Sequence, residues 1–337
     1  MVLIFGNDRT MPSSQRRRRT RACAALGVLL VVGGAVGTGC SSIPHGSGTT
    51  ADPLHVVASF YPLQWMAQQV GGRRVDVRSL TKPGAEPHDL ELTPSDVAAV
   101  QDADAVVYLS GFQPSVDTAI DGRGKDAVFD ARAAAHLDLS FTPIEDGQAA
   151  PDQTGATDPH FWLDPIRLGR VGAAFGETLA HRDPAHAKDY RRNAQLLKLK
   201  LAQLDLEFHN GLAHCASTDV ITSHNAFGYL GRRYGLHQVG ITGLTPDDEP
   251  SPKDLAAVAD FVERHHVRTI YFETLVSPSI ARAVADETGA RTAVLDPIEG
   301  LSHRSQGRDY LAIMRANLKD LQAGQSCTVP KDQEGGR

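Results

Sequence analysis

The sequence predicts an α/β fold: two similar α/β lobes with mainly parallel sheets, joined by one long rigid helix. Three observations carry the architecture. Short apolar, strand-like runs alternate with helix-like runs through residues 54–109 and again through 220–323, the rhythm of βαβ units and a parallel sheet. Between the two stretches, Pro184–Leu212 is a periodic polar/apolar run without Pro or Gly from Ala185 to Asn210. At ~1.5 Å per residue it makes roughly 40 Å of helix, too long for a simple crossover and suited to a spine. The halves can also be set beside each other: VVASFYPLQWMAQQVG (56–71) against VITSHNAFGYLGRRYG (220–235), with Ser59 opposite Ser223 and Gly71 opposite Gly235. A duplication and the generic likeness of βα units both give such a match.

The elements follow in order. Leu54–Ser59 reads as a strand, Leu63–Val70 as a helix and Val75–Leu80 as a strand. Thr93 caps a helix running to Gln101, with Asp96 three residues on as in a capping box, and Ala105–Leu109 is the next strand. In the second half Val220–Thr222 is a strand and Ala226–Tyr234 a helix closed by Gly235. A strand at Gln238–Ile241, a helix from Pro252 to His265 and a strand at Thr269–Phe272 come next. A helix at Ser279–Thr288, a strand at Thr292–Leu295 and a last helix around Asp309–Ala323 complete the chain.

The composition is that of a globular protein. With 41% hydrophobic and 22% charged residues over 337 positions, it is neither collagen-like nor wholly disordered, and has length for two domains. Six arginines and one acid lie before Cys40, so the remainder carries 28 basic against 39 acidic side chains, a net −11. An acidic body argues against nucleic acid as a partner. Residues 16–40 read RRRRTRACAALGVLLVVGGAVGTGC. This is a basic cluster, a short apolar run and small residues at the end, the pattern of an export signal. An uncleaved membrane anchor is the other reading, and Met11 is a plausible start. The end, Gly37-Thr38-Gly39-Cys40, resembles a lipoprotein processing site with Gly37 where Leu is usual. Lipidation at Cys40 would tether the protein to the outer face of the membrane through the Ser/Gly/Thr/Pro-rich stretch 41–53. The expected organisation is a signal peptide at 1–39, the lipidated Cys and tether at 40–53, an N-terminal lobe at 54–183, the linking helix at 184–212, a C-terminal lobe at 213–328 and a disordered tail at 329–337. Cys215 and Cys327 remain in the exported body. An even pair in an oxidising compartment suggests one disulfide, against two free thiols.

Fourteen histidines are present, and most read as surface residues: His181, His186, His209, His265 and His266 lie on polar helical runs. His88 lies in KPGAEPHDLELTPSD, after a strand and before a capped helix, and His160 in TDPHFWLDP, after an acidic linker. His224 follows strand Val220–Thr222, and Asp296 follows strand Thr292–Leu295 in LDPIEG. Ligands in α/β sheets sit beyond the carboxyl ends of strands, and Pro87, Pro159 and Pro297 stiffen three of these loops. Three imidazoles and a carboxylate make an N₃O set that suits Zn²⁺. Glu273, which also ends a strand, and Glu86, two residues from His88, are the alternative carboxylates.

The series ASFYPLQW, PGAEPHDLELTPSD, DPHFWLDP, DPAHAKDYRRNA, TSHNAFGYL, EPSPKDLA, YFETLVSP and LDPIEGL resembles the periplasmic metal-binding lipoproteins of ABC importers, the cluster A-I solute-binding proteins. The match runs from Val56 to Cys327. The resemblance implies two lobes on one long helix with the metal in the cleft. It carries ligands onto His88, His160, His224 and Asp296. Manganese-type members have Glu where His224 stands, so the resemblance is to the zinc-type (ZnuA-like) members. Their frequent second-lobe disulfide agrees with Cys215 and Cys327. Many also have a His-rich loop ahead of the second ligand, which is absent from the acidic stretch before His160. The implied function is capture of Zn²⁺ outside the membrane and delivery to an ABC permease and, through it, its ATPase, by a monomeric protein. A manganese-specific member is the alternative within the family. An extracellular zinc hydrolase is the alternative of another class, but four protein ligands leave no open position for it, and HExxH and GxSxG are absent.

Overall fold

The computed structural model describes residues 52–141, 144–145, 148–149 and 155–328. The expected export segment, Cys40, the tether up to Ala51 and the tail lie outside these residues. Among the described residues no helix is long and apolar enough to cross a membrane.

The first lobe runs β1 (Leu54–Ala58), α1 (Tyr61–Gly71), β2 (Val75–Ser79), α2 (Pro94–Asp102), β3 (Ala105–Tyr108), α3 (Pro114–Ile120), β4 (Val128–Asp130) and α4 (Ala131–Ala135). A two-stranded antiparallel ribbon, β5 (Ile144–Glu145) and β6 (Gln148–Ala149), follows. Two long helices come next, α5 (Pro165–Arg182) and α6 (Ala187–Leu212). The second lobe runs β7 (Asp219–Thr222), α7 (Gly228–Tyr234), β8 (His237–Gly240), α8 (Pro252–Arg264), β9 (Thr269–Phe272), α9 (Ser279–Thr288), β10 (Arg291–Val294) and α10 (Tyr310–Gly324).

Both lobe sheets are wholly parallel, in the orders β2-β1-β3-β4 and β10-β9-β7-β8. Counted within each lobe, the order is the same: second, first, third, fourth. The likeness extends to single bonds. Ser59 N donates to Val107 O and Ser223 N to Tyr271 O, both at 3.0 Å. Thr81 Oγ1 donates to Ser59 O at 2.8 Å, and Thr242 Oγ1 to Ser223 O at 3.2 Å. Thr93 with Asp96 and Ser251 with Asp254 each form a capping box in front of a Pro-initiated helix. This repeated bonding favours the duplication. At the position of His224, however, the first lobe has Phe60, which is buried in its core.

The linking element differs from the sequence reading. Pro184–His186 forms a turn of 3₁₀ helix, and α6 begins at Ala187. Its partner α5, 18 residues long, has no counterpart in that reading. Gly169, Gly172 and Gly176 disguise α5, because glycine disfavours helix in isolation. Here they let two helices approach: a Cβ at Gly172 would lie 2.7 Å from Leu197 Cδ2, and one at Gly176 2.9 Å from Ala194 Cβ. The spine is therefore a helical pair. α6 packs on α1 in the first lobe and on α7 and α10 in the second. One apolar core, from Val56 and Trp65 through Leu201 to Tyr310 and Leu321, runs through both lobes and the spine. Each lobe has a further small core on its outer face. Trp65 stacks on Tyr310 with centroids 4.7 Å apart.

Cys215 and Cys327 form a disulfide across 112 residues, pairing as the sequence suggests.

Candidate metal centre

In each sheet the chain order reverses between the first and third strands of the lobe. The crevice at such a point, beyond the carboxyl ends of the strands, is where α/β sheets hold ligands. In the second lobe it is flanked by His224 after β7 and Glu273 after β9.

Three imidazoles meet there. His88 comes from the β2–α2 loop, where its backbone N–H donates to Glu86 Oε2 at 2.8 Å and Gln113 Nε2 holds Pro87 O at 3.0 Å. Its ring stands edge-on to Phe112. His160 caps the 3₁₀ turn Phe161–Leu163. Its backbone N–H and Nδ1 both meet Asp158 Oδ1 at 2.8 Å. His224 has Nδ1 2.6 Å from Glu273 Oε1, and its carbonyl accepts from Thr222 Oγ1 and Gln238 Nε2. With Nδ1–H given to a carboxylate, Nε2 is the atom of His160 and of His224 that faces inward, free to bond a metal once its own proton is displaced.

The fourth member of the cluster is Glu299. Its Oε1 lies 3.3 Å from Nε2 of His88, 3.0 Å from that of His160 and 3.3 Å from that of His224. Ligand atoms around a tetrahedral zinc with bonds of about 2.0–2.1 Å are roughly 3.3 Å apart. Nε2 of His160 and of His224 and Oε2 of Glu299 are buried without a well-aligned hydrogen bond. Buried polar atoms left this way cost stability unless something binds them. A divalent cation satisfies all of them, and the N₃O donor set is one that zinc accepts.

Asp296 stands elsewhere than the sequence reading puts it. Its Oδ1 accepts from Ile298 N at 2.8 Å within the loop and its Oδ2 from Thr274 Oγ1, after β9, at 3.0 Å, so both oxygens are already used. Asn317 fixes its backbone, accepting from Asp296 N and donating to Asp296 O. The loop turns at Ile298, whose φ of 59° is costly for a β-branched residue. That turn sends Glu299 inward. Asp296 shapes the loop and Glu299 faces the imidazoles. Glu273, the other carboxylate considered, lies behind His224 rather than among the inward atoms. Trp162 straps the same loop to the first lobe: its Nε1 donates to Pro297 O at 2.8 Å, and its carbonyl accepts from Tyr310 OH at 2.5 Å.

The electrostatics follow from burial and crowding. Burial opposes the charged form of His224, but Glu273 and Glu299 outweigh it and raise its pKa well above the usual imidazole value. His160 is raised in the same way, Asp158 and Glu299 overcoming burial. Glu299 is held well below the carboxylate range: burial raises it, and the facing His224 and His88 more than reverse that. Burial pushes Glu86 up to about 8, helped by Glu299, and Asp296 up to about 6.

Comparison with known proteins agrees with this arrangement. The family model described as zinc-uptake complex component A, periplasmic, matches residues 56–324. The high-affinity zinc uptake system protein ZnuA of Bacillus subtilis is 36% identical over 293 residues, 84% of this chain and 91% of that protein. The zinc-binding protein AdcA of Streptococcus pyogenes is 34% identical over 302 residues, 83% of this chain, which spans only 58% of AdcA. Among solved structures, the laminin-binding protein Lmb of Streptococcus agalactiae, described as having adhesin and metal-transporting activity, aligns with TM-score 0.70 and 36% identity over 81% of this chain and 99% of that one. The Zn(II)-bound ZnuA-like domain of Streptococcus pneumoniae AdcA aligns with TM-score 0.67 and 33% identity, over the same shares of the two chains. With its two parallel-sheet lobes, helical spine and cluster of three histidines and a glutamate, the chain belongs to the periplasmic zinc-uptake component A family of solute-binding proteins.

Proposed function

We propose that the chain is the extracytoplasmic zinc-binding component of an ABC importer. It captures Zn²⁺ at His88, His160, His224 and Glu299 and hands it to a membrane permease driven by an ATPase. The observation that carries this reading is the convergence of three Nε2 atoms on one buried carboxylate oxygen at 3.0–3.3 Å. Each residue has one job. His160 and His224 are held by Asp158 and Glu273, Glu299 brings the negative charge that a divalent cation needs, and His88 closes the set from the first lobe. Four protein ligands hold zinc without leaving the open position that a hydrolase needs. His224 in place of a carboxylate favours zinc over manganese. Cys40 and the stretch after it supply a lipid anchor that keeps a monomeric carrier beside its permease.

Metal analysis by native mass spectrometry of the mature protein, purified without added metal, tests the reading. One zinc ion per chain is expected. A chain that carries manganese, or no metal after exposure to equimolar zinc, overturns it.

Zinc affinity is also expected to depend on pH. Metal must displace protons from imidazoles. In the metal-free protein His160 and His224 hold theirs above the ordinary range. Affinity therefore falls as pH falls through these raised values, starting above about 6.5, by about tenfold per pH unit for each proton displaced. Chelator competition across pH 6–9 checks this. An affinity that stays flat down to pH 6 contradicts it.

A further inference from the structure

The four residues are not equally held. The side chains of His160, His224 and Glu299 are fully buried, whereas His88 retains 9% exposure and Glu86 beside it 14%. Solvent therefore reaches the cluster on the His88 side. Nδ1 of His160 and of His224 is gripped by a buried carboxylate. Among the described residues Nδ1 of His88 has no hydrogen-bond partner; its ring packs edge-on against Phe112 and faces the other two imidazoles, with no carboxylate behind it. His88 is the imidazole that can swing away.

The carboxylate next to it is half used. Glu86 Oε2 accepts from the backbone N–H of His88 at 2.8 Å and of Asp89 at 3.3 Å, which fixes the carboxylate plane. Its Oε1 is buried with no hydrogen-bond partner and lies 3.9 Å from His88 Nε2. That distance is too long for a hydrogen bond and short enough for both atoms to reach one cation. Shaping the loop requires only Oε2. A buried carboxylate oxygen with no donor is unfavourable unless a ligand visits it.

We propose that Glu86 is the transfer ligand of this site: its Oε1 bonds the zinc ion on the solvent side while the ion is detached from His88, during loading and release. Zinc readily becomes five-coordinate. On release the Zn–Oε1 bond forms as the Zn–Nε2 bond to His88 breaks, so the ion never loses a ligand before gaining another. Loading runs the same steps backwards. A ligand used only in passing changes rates in both directions and leaves the equilibrium nearly untouched.

The proposal rests on the four-ligand reading, and one experiment separates the two. Zinc uptake and chelator-driven release are followed by stopped flow on the mature chain and on Glu86→Gln. Glutamine keeps a carbonyl oxygen for the two backbone N–H groups and puts an amide nitrogen, which cannot bond zinc, in place of Oε1. Uptake and release are both expected to slow about tenfold, because a bond made only at the barrier is lost, with Kd changing less than about threefold. Asp247→Asn serves as a control, since its exposed carboxylate lies within 4.8 Å of Glu86 and contributes charge at the mouth. At high salt, where steering is screened, Asp247→Asn should keep the parent rates. Unchanged rates in Glu86→Gln overturn the proposal. So does an equal loss in Asp247→Asn, which would make the effect one of steering. Faster release with uptake unchanged also overturns it, because Glu86 would then hold the resting complex. An unmodified chain that takes up no zinc sinks the four-ligand reading itself, and the proposal with it.

Discussion

Glu299→Gln lowers zinc affinity by about 10²–10³-fold, whereas Asp296→Asn lowers it less than about tenfold. Zinc held by four protein ligands is bound by about 10–16 kcal/mol in small domains, so one ligand is worth roughly 3–4 kcal/mol, or two to three decades in Kd. Gln keeps the volume of Glu299 and loses the anionic oxygen on which the three Nε2 atoms converge. Asn at position 296 still offers an oxygen to Ile298 N, so the turn at Ile298 survives and Glu299 stays aimed inward. The measurement is competition against a chromogenic chelator, with thermal unfolding of each metal-free variant to show that the fold is kept. If Asp296→Asn costs as much affinity as Glu299→Gln at unchanged metal-free stability, the carboxylate ligand is Asp296 and the loop rearranges on binding.

That pair of residues also marks where the sequence stops being readable. His224 could be found because a histidine directly after an apolar strand stands at the carboxyl edge of a sheet, and the structure puts it there. The capping boxes at Thr93 and Ser251 are local, three-residue signals, so the helices behind them start where expected. The choice between Asp296 and Glu299 is not local. It depends on a positive φ at Ile298, a residue whose own preference is against that conformation, imposed by Asn317 on α10 and Thr274 after β9. The motif LDPIEG contains both acids, and only the folded loop tells them apart. Helix α5 was hidden for a related reason. Its glycines lower helix propensity, and their use, close approach to Ala194 and Leu197 on α6, exists only once the spine is assembled. Asp158 and Glu273 bear on the site through distances of 2.8 and 2.6 Å to imidazoles. Asp158 is two residues from His160, but Glu273 is 49 from His224, and no spacing rule connects them.

Loss of the Cys215–Cys327 bridge is expected to cost up to about 4–5 kcal/mol of stability while leaving zinc binding intact. The bridge closes a loop of 112 residues, and the chain-entropy account of so long a loop gives roughly that figure as an upper value. The folded ends are already aligned by other bonds. Ala216 N donates to Gln325 O at 3.0 Å, Thr328 N to His214 O at 2.8 Å, and Gln325 Nε2 to Asp219 O at 2.7 Å. Breaking the disulfide therefore removes little from the native state and acts mainly by freeing the unfolded chain. For a domain of this size the shift in Tm is roughly 8 °C. The bridge joins the segment before β7 to the end of α10, whereas His224 follows the other end of β7. The ligand cluster is thus the full length of the strand away. A Cys215→Ser/Cys327→Ser protein should unfold at lower urea than the oxidised parent, still bind one zinc ion per chain, and keep Kd within about threefold, since no ligand or ligand-holding carboxylate moves. An unchanged urea midpoint would contradict this account, since it would mean that the bridge places no effective restraint on the unfolded chain.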